Sequence, residues 1–378
     1  MECILEPTQT NLELASSALA RGKLVAFPTE TVYGLGGNAL MEDTVRKIYE
    51  VKGRPATDPL ICHVDTLAKA VRLWDPSWDE GSLQLASAIG ASLWPGPLTI
   101  VCRANPSLPV CVTGGSSFVG ARIPRHPTTL GLLSLLDFPL AGPSANVFGH
   151  VSPTTARHVY DDLFSRDPEL LILDGGGCEI GIESTVVKIN SLESVEVVRR
   201  GGTSVSAILR AIADRFPSTR IDIRDTRSRL ARVDAPMDAP GQLLTHYSPA
   251  VMSSLVTPSS LAFGSLDFPL VVRIGVAVFP IEKIIVIDYK GVLWMLRHKC
   301  IAYRDLSPEG NAKAASFDVF DTLRWTESVK GAGAVVFPLL SEWPEILDDD
   351  VELLAAVEDR LFRAASGTVA VICNSDSS

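Results

Sequence analysis

Phe27-Pro28-Thr29-Glu30-Thr31-Val32-Tyr33-Gly34-Leu35-Gly36-Gly37, followed by Lys52-Gly53-Arg54-Pro55, is the stretch on which the reading of the fold turns. Lys23 to Phe27 has the composition of a strand and stops at Pro28, which has no amide to give a sheet ladder. Two threonines and a glutamate cluster where that strand ends. Gly34, Gly36 and Gly37 read as a turn that brings the backbone close to a ligand. About a helix length later, Lys52 and Arg54 place two cations around Gly53. Hydroxyls and a carboxylate at a strand end, facing a cationic loop, suit a small zwitterion beside a polyphosphate.

Outward from this stretch, strands and helices alternate. Leu12 to Ala20 has helical spacing, and Thr44 to Tyr49 reads as a helix capped by Asp43. Short strands are expected at Leu98–Cys102, Val119–Ile123, Pro139–Ala141 and Leu170–Leu173. Thr185–Ile189 and Val195–Arg199 read as a hairpin, and Ser204–Phe216 as a closing helix. This mixture predicts a twisted α/β sheet of mixed strand direction over residues 1–216. Residues 217–249 change to charged and Ala-Pro-rich sequence, the pattern of a linker. Over residues 250–378, strands at Val271–Val278, Lys283–Ile287, Cys300–Leu306 and Ala334–Leu339 precede or alternate with helices at Asn311–Arg324 and Asp349–Ala365. That order predicts a smaller Rossmann-like α/β domain, without the GxGxxG fingerprint of a dinucleotide site.

Composition narrows the function. A chain of 378 residues with 46% hydrophobic and 21% charged residues can bury two cores. The net charge is -10; residues 1–230 hold 22 Lys+Arg against 25 Asp+Glu, and residues 231–378 hold 12 against 19. Little direct nucleic-acid binding is expected from such a balance, so an anion site must be a local arrangement. The one basic run, Arg220, Arg224, Arg227, Arg229 and Arg232, is interleaved with Asp222 and Asp225 and reads as a solvated linker. The 7 cysteines have no CxxC spacing, which points to reduced thiols in a cytoplasmic compartment and away from zinc. The 6 histidines form no metal motif, no apolar run suits a membrane span, and no secretory signal is expected at the start.

Further polar groups fall at strand ends: His63 after an apolar run, Arg122 before Pro124, Gly142 and Ser144 before Asn146, Ser184 at the start of a strand, and Arg199 before Gly201-Gly202. Each has a plain structural reading as a surface charge, a helix cap or a core imidazole. Together they describe a phosphate and carboxylate pocket. With no Walker A, no GxSxG and no activated cysteine, the chemistry expected is direct attack of one bound substrate on another, driven by positioning and charge.

The run Gly22 to Arg54, with Ser144-Ala145-Asn146, Glu183-Ser184-Thr185-Val186 and Arg199-Arg200-Gly201, resembles the YrdC-domain threonylcarbamoyl-AMP synthases. His246-Tyr247-Ser248-Pro249, the segment Tyr303 to Gly310 and Val357-Glu358-Asp359-Arg360-Leu361 resemble the two-domain form of that family. The resemblance implies a YrdC-like α/β domain and a reaction of L-threonine, bicarbonate and ATP that yields threonylcarbamoyl-adenylate and pyrophosphate. The product would pass to the machinery that makes threonylcarbamoyladenosine in tRNA. It further implies that Thr31, His63, Arg122, Gly142 and Ser184 surround threonine. Lys52, Arg54, Asp58, Ser144, Ser152, Arg199 and Tyr247 would line the ATP side. Lys52, Arg54 and the magnesium carried by ATP would hold the charge of the leaving pyrophosphate. Where the family commonly has asparagine, Asp58 either binds magnesium or repels the triphosphate. Gln242 to Thr245 carries none of the basic residues that often precede His-Tyr in the family. The linker, with Tyr247, is expected to act as a lid. Two rival readings are an RNA-binding module without catalysis and a carbamoyl-transfer domain of a larger maturation protein.

Overall fold

The computed structural model describes residues 3–224, 246–346 and 350–375. The chain divides into two units, one of Met1–Phe148 with Ser152–Leu243 and the other of Gly149–Val151 with Leu244–Ser378. Most of the linker, including Ala235-Pro236, Ala239-Pro240-Gly241, Gln242 to Thr245 and the arginines at 227, 229 and 232, lies outside the described residues.

The first unit contains β1 (Ile4–Leu5), β2 (Val25–Phe27), β3 (Gly34–Asn38), β4 (Ile61–His63), β5 (Leu98–Arg103) and β6 (Phe118–Arg122). It continues with β7 (Leu140–Ala141), β8 (Leu171–Leu173), β9 (Thr185–Ser191), β10 (Ser194–Arg199) and β11 (Arg220–Ile223). They form one 11-stranded sheet in the order β1-β8-β2-β3-β7-β4-β6-β5-β9-β10-β11. Directions are mixed: β4 and β6 run parallel, as do β5 and β9, while β2 with β3 and β9 with β10 are antiparallel. Its helices are α1 (Gln9–Ala20), α2 (Glu42–Lys52), α3 (Leu67–Val71), α4 (Glu80–Leu93), α5 (Pro127–Ser134), α6 (Ala156–Leu163) and α7 (Val205–Ile212).

Local chemistry explains most of these boundaries. Thr8 accepts from the Asn11 amide at the start of α1, which buries Leu12, Ala15, Ala18 and Leu19 on one stripe. Asp43 is not the cap of α2. The helix begins at Glu42 after an uncapped Met41, and Asp43 sits in its first turn, where an acid complements the helix dipole. The glycine run is likewise not a turn. Gly34–Asn38 is a fully buried strand between β2 and β7, and a Cβ on Gly34 would collide with the Phe27 ring. Glycine is needed there because a core ring presses on the strand.

The second unit has two 4-stranded sheets. One is all parallel, in the order β12 (Met252–Val256), β18 (Ala334–Pro338), β16 (Ile284–Asp288), β17 (Ala302–Asp305). The other orders β13 (Leu261–Ala262), β19 (Val371–Asn374), β14 (Leu270–Ile274) and β15 (Ala277–Pro280). Val271–Val278, expected as one strand, is instead the antiparallel hairpin β14–β15, with Val276 fully exposed at its turn. Among the described residues this unit also has the helices α8 (Ala312–Thr326) and α9 (Val351–Ala364). Among the described residues no helix is long and apolar enough to cross a membrane.

Candidate functional site

β4 and β6 run side by side in a register that pairs His63 with Arg122, so both side chains leave the same face of the sheet at the same level. The loop after β2 comes to meet them. Thr29 fastens that loop: its hydroxyl donates to the Val32 carbonyl at 2.6 Å and accepts from the amides of Thr31 and Val32. The Tyr33 amide donates to Pro153, and the Ala145 amide donates back to Tyr33.

Arg122, 4% exposed, donates from Nη2 to Thr31 Oγ1 at 2.9 Å, and the same nitrogen lies 2.9 Å from Glu30 Oε1. Glu30 Oε2 accepts from the Arg125 amide at 3.0 Å. Burial and the Arg122 charge push the His63 pKa down to about 3, so its ring is neutral at physiological pH. Phe27 meets that ring edge-on, 5.3 Å between centroids. Gly142 closes this side, since a Cβ there would stand 2.9 Å from the Phe27 ring and 3.3 Å from His63 Nδ1. Three buried atoms in the cluster, Arg122 Nε, His63 Nδ1 and Glu30 Oε1, have no hydrogen-bond partner. Buried polar groups are seldom left so, and a bound ligand or water would complete them.

A second group surrounds Ser184. Its hydroxyl is 2.8 Å from Thr99 Oγ1, and Arg199 donates to it from Nη2 at 3.2 Å and to its carbonyl from Nε at 3.1 Å. Ser152 donates to Glu183 Oε1 at 2.7 Å.

The third group corrects the picture of an open cationic loop. Lys52 is 1% exposed and donates to the carbonyls of Ser144 and Asn146. Burial, then Arg54, lowers its pKa. Arg54 donates to the carbonyls of Asp58 and Pro59, and its Nη2 is 2.8 Å from Asp58 Oδ1. Burial raises the Asp58 pKa while Arg54, Lys52 and Arg199 oppose that rise, so its carboxyl sits in the field of three cations. Ser144 is half-buried and bridges to Gly34. Tyr247 belongs to the second unit, where it is fully buried with φ 61°, its ring 5.1 Å from Phe320 and 5.8 Å from the Arg360 guanidinium.

Residues 17–201 match the family described as telomere recombination (Sua5, YciO, YrdC), and residues 204–366 match the threonylcarbamoyl-AMP synthase C-terminal domain. The chain belongs to the two-domain, Sua5-type threonylcarbamoyl-AMP synthase family. It is 38% identical over 239 residues to the threonylcarbamoyl-AMP synthase of Pyrococcus abyssi, a match spanning 63% of this chain and 66% of that protein. The Schizosaccharomyces pombe threonylcarbamoyl-AMP synthase is 38% identical over 262 residues, 64% of this chain and 62% of its own length. These matches span just under two thirds of the relatives. The crystal structure of P. abyssi Sua5 complexed with L-threonine superposes with a TM-score of 0.73 at 28% identity, covering 95% of each chain.

Of the residues expected from the resemblance to threonylcarbamoyl-AMP synthases, Thr31, His63, Arg122 and Gly142 form one cluster. Ser184 with Arg199, and Lys52 with Ser144, are hydrogen-bonded pairs. Ser152 is held to Glu183, and Arg54 to Asp58. Sequence reasoning read Thr29 and Glu30 only as part of a hydroxyl and carboxylate cluster suited to a zwitterion, without naming a partner for either, and assigned no role to Thr99 or Glu183. Glu30 and Glu183 stood inside quoted motifs, and a buried acid beside a buried arginine was the signal available. Thr99 had none, because its neighbour Ser184 lies 85 residues away.

Proposed function

We propose that this chain condenses L-threonine, bicarbonate and ATP into threonylcarbamoyl-AMP and pyrophosphate, in the cytoplasm, for the threonylcarbamoyladenosine modification of tRNA. The observation that carries the reading is the set of unpaired buried atoms around Arg122 and His63, in a family with a relative solved in complex with L-threonine. The guanidinium would take the substrate carboxylate, as its planar fork suits. Thr31, His63 and Ser184 would face the hydroxyl, and Gly142 would leave room for the ligand. ATP would lie beside Ser144, Ser152, Arg199, Arg54, Asp58 and Lys52.

The substrate amine adds to the carbon of bicarbonate with loss of water, giving a carbamate. A carbamate oxygen then attacks the α-phosphorus, and the bond to pyrophosphate breaks. Lys52 and Arg54 would stabilise that charge as fixed positive groups in a low-dielectric wall, since their N–H groups already point at backbone carbonyls. Magnesium enters with ATP as part of the substrate. Among the described residues no three His, Cys, Asp or Glu side chains gather as a metal site. The cations around Asp58 support a role in balancing their charge over one in ligating magnesium. The parallel sheet of the second unit is read as Rossmann-like.

Pyrophosphate release by the full chain is the test. It should require ATP, threonine and bicarbonate together, and valine should be a very poor substitute, because a site with buried polar groups rejects an analogue lacking their partner. Equal release with threonine left out would overturn the reading.

A further inference from the structure

The cluster around Arg122 contains a carboxylate that a site built only for an anion would exclude. Glu30 is 2% exposed, and its Oε1 stands 2.9 Å from Arg122 Nη2 as an ion pair. That nitrogen aims its N–H at Thr31 Oγ1, so Oε1 accepts no hydrogen bond and Arg122 Nε gives none. Glu30 is held firmly all the same. Its Oε2 accepts from the Arg125 amide at 3.0 Å, and its own carbonyl accepts from the Ile180 amide at 2.8 Å.

The cluster therefore offers a buried carboxylate and a buried guanidinium that are ion-paired with each other, yet each keeps an atom that makes no hydrogen bond, Glu30 Oε1 and Arg122 Nε. A molecule with an ammonium and a carboxylate on the same carbon is complementary to that pair. The charges also balance without a ligand: Glu30 cancels Arg122, the His63 ring is neutral, and Arg125 is paired with Glu179 at the surface. A plain carboxylate would add an uncompensated negative charge beside Glu30 in a region of low dielectric. A zwitterion would not.

We infer that Glu30 is a specificity-determining residue, which receives the α-ammonium and holds Arg122, and so selects an α-amino-acid zwitterion over a simple carboxylate. The inference rests on the reading of this cluster as the threonine site and adds the chemical feature that site selects.

The test is calorimetric titration of the full chain with two probes, L-threonine and the 2,3-dihydroxybutanoate in which a hydroxyl replaces its α-amine. The wild-type protein should bind threonine at least ~100-fold more tightly than the hydroxy acid. In Glu30→Gln, threonine should weaken about tenfold and the hydroxy acid should tighten about tenfold, because the counter-charge is gone. Glu30→Asp keeps the charge one methylene shorter and should keep the wild-type preference. A common factor of weakening for both probes in Glu30→Gln, or a loss of preference in Glu30→Asp, would overturn the inference and leave threonine binding itself intact. Failure of the wild-type protein to bind threonine would instead overturn the site reading, and the inference with it.

Discussion

Each unit buries an ionisable polar cluster, and the two are completed in opposite ways. In the second unit, Asp288 sits at the end of β16 with both oxygens occupied. Oδ1 accepts from the Tyr289 amide at 2.8 Å, and Oδ2 from the Leu293 amide at 2.9 Å and the Tyr303 hydroxyl at 2.6 Å. Asp305 beside it accepts from the amides of Gly291 and Ser307, both at 2.9 Å. In the first unit, Glu30, Arg122 and His63 are as deeply buried, yet each keeps an atom with no hydrogen bond. A buried network completed from within fixes a loop. One left open at charged atoms keeps them for something that arrives from outside.

The largest effect should come from breaking the open cluster. Arg122→Ala strands the Glu30 carboxylate, and loss of one partner of a buried pair costs about 3–5 kcal/mol of stability. Arg122→Lys keeps the charge but loses the planar fork, and threonine-dependent pyrophosphate release should fall on the order of 100-fold while the protein stays folded. Denaturant unfolding and steady-state kinetics read the two quantities separately.

Breaking the closed cluster should cost stability alone. Asp288→Ala leaves two amides and a tyrosine hydroxyl without their acceptor, roughly 2–4 kcal/mol. The KM for threonine should not move. If it rises with Asp288→Ala, the division between a structural and a functional cluster is wrong.

The smallest effect is a pH dependence. The folded pKa of His63 is about 3, below its unfolded value of 6.5. The unfolded chain therefore binds a proton that the folded chain refuses between those values, and stability is lost as pH falls below about 6.5. At pH 5 the loss amounts to about 2 kcal/mol relative to neutral pH. His63→Asn should remove that part of the acid slope, which a series of denaturant midpoints between pH 5 and 8 would detect.

The sequence revealed the parts of this molecule that local chemistry decides. Lys23 to Phe27 reads as a strand because its composition suits one and Pro28 stops it, and the strand is Val25–Phe27. The hairpin β9–β10 was legible from two apolar runs around a polar turn. The glycine run was misread because glycine disfavours strands locally, whereas the reason for Gly34 is a ring seven residues away in sequence and adjacent in space. Helix α4 went unnoticed, since its Gly81, Ser82, Ala86, Ser87, Ala88 and Gly90 give a weak periodic signal. In the site, residue types were legible and their engagements were not. The Lys52 ammonium is taken by carbonyls 92 and 94 residues further on, which no spacing around Gly53 reveals.

The most direct measurement is a calorimetric titration of L-threonine into the full chain, repeated with Arg122→Lys and with Asp288→Asn. The account predicts binding to the wild-type protein, loss of at least tenfold in affinity with Arg122→Lys, and no change with Asp288→Asn. Undiminished binding by the Arg122 variant, or binding lost with the Asp288 variant, would contradict it.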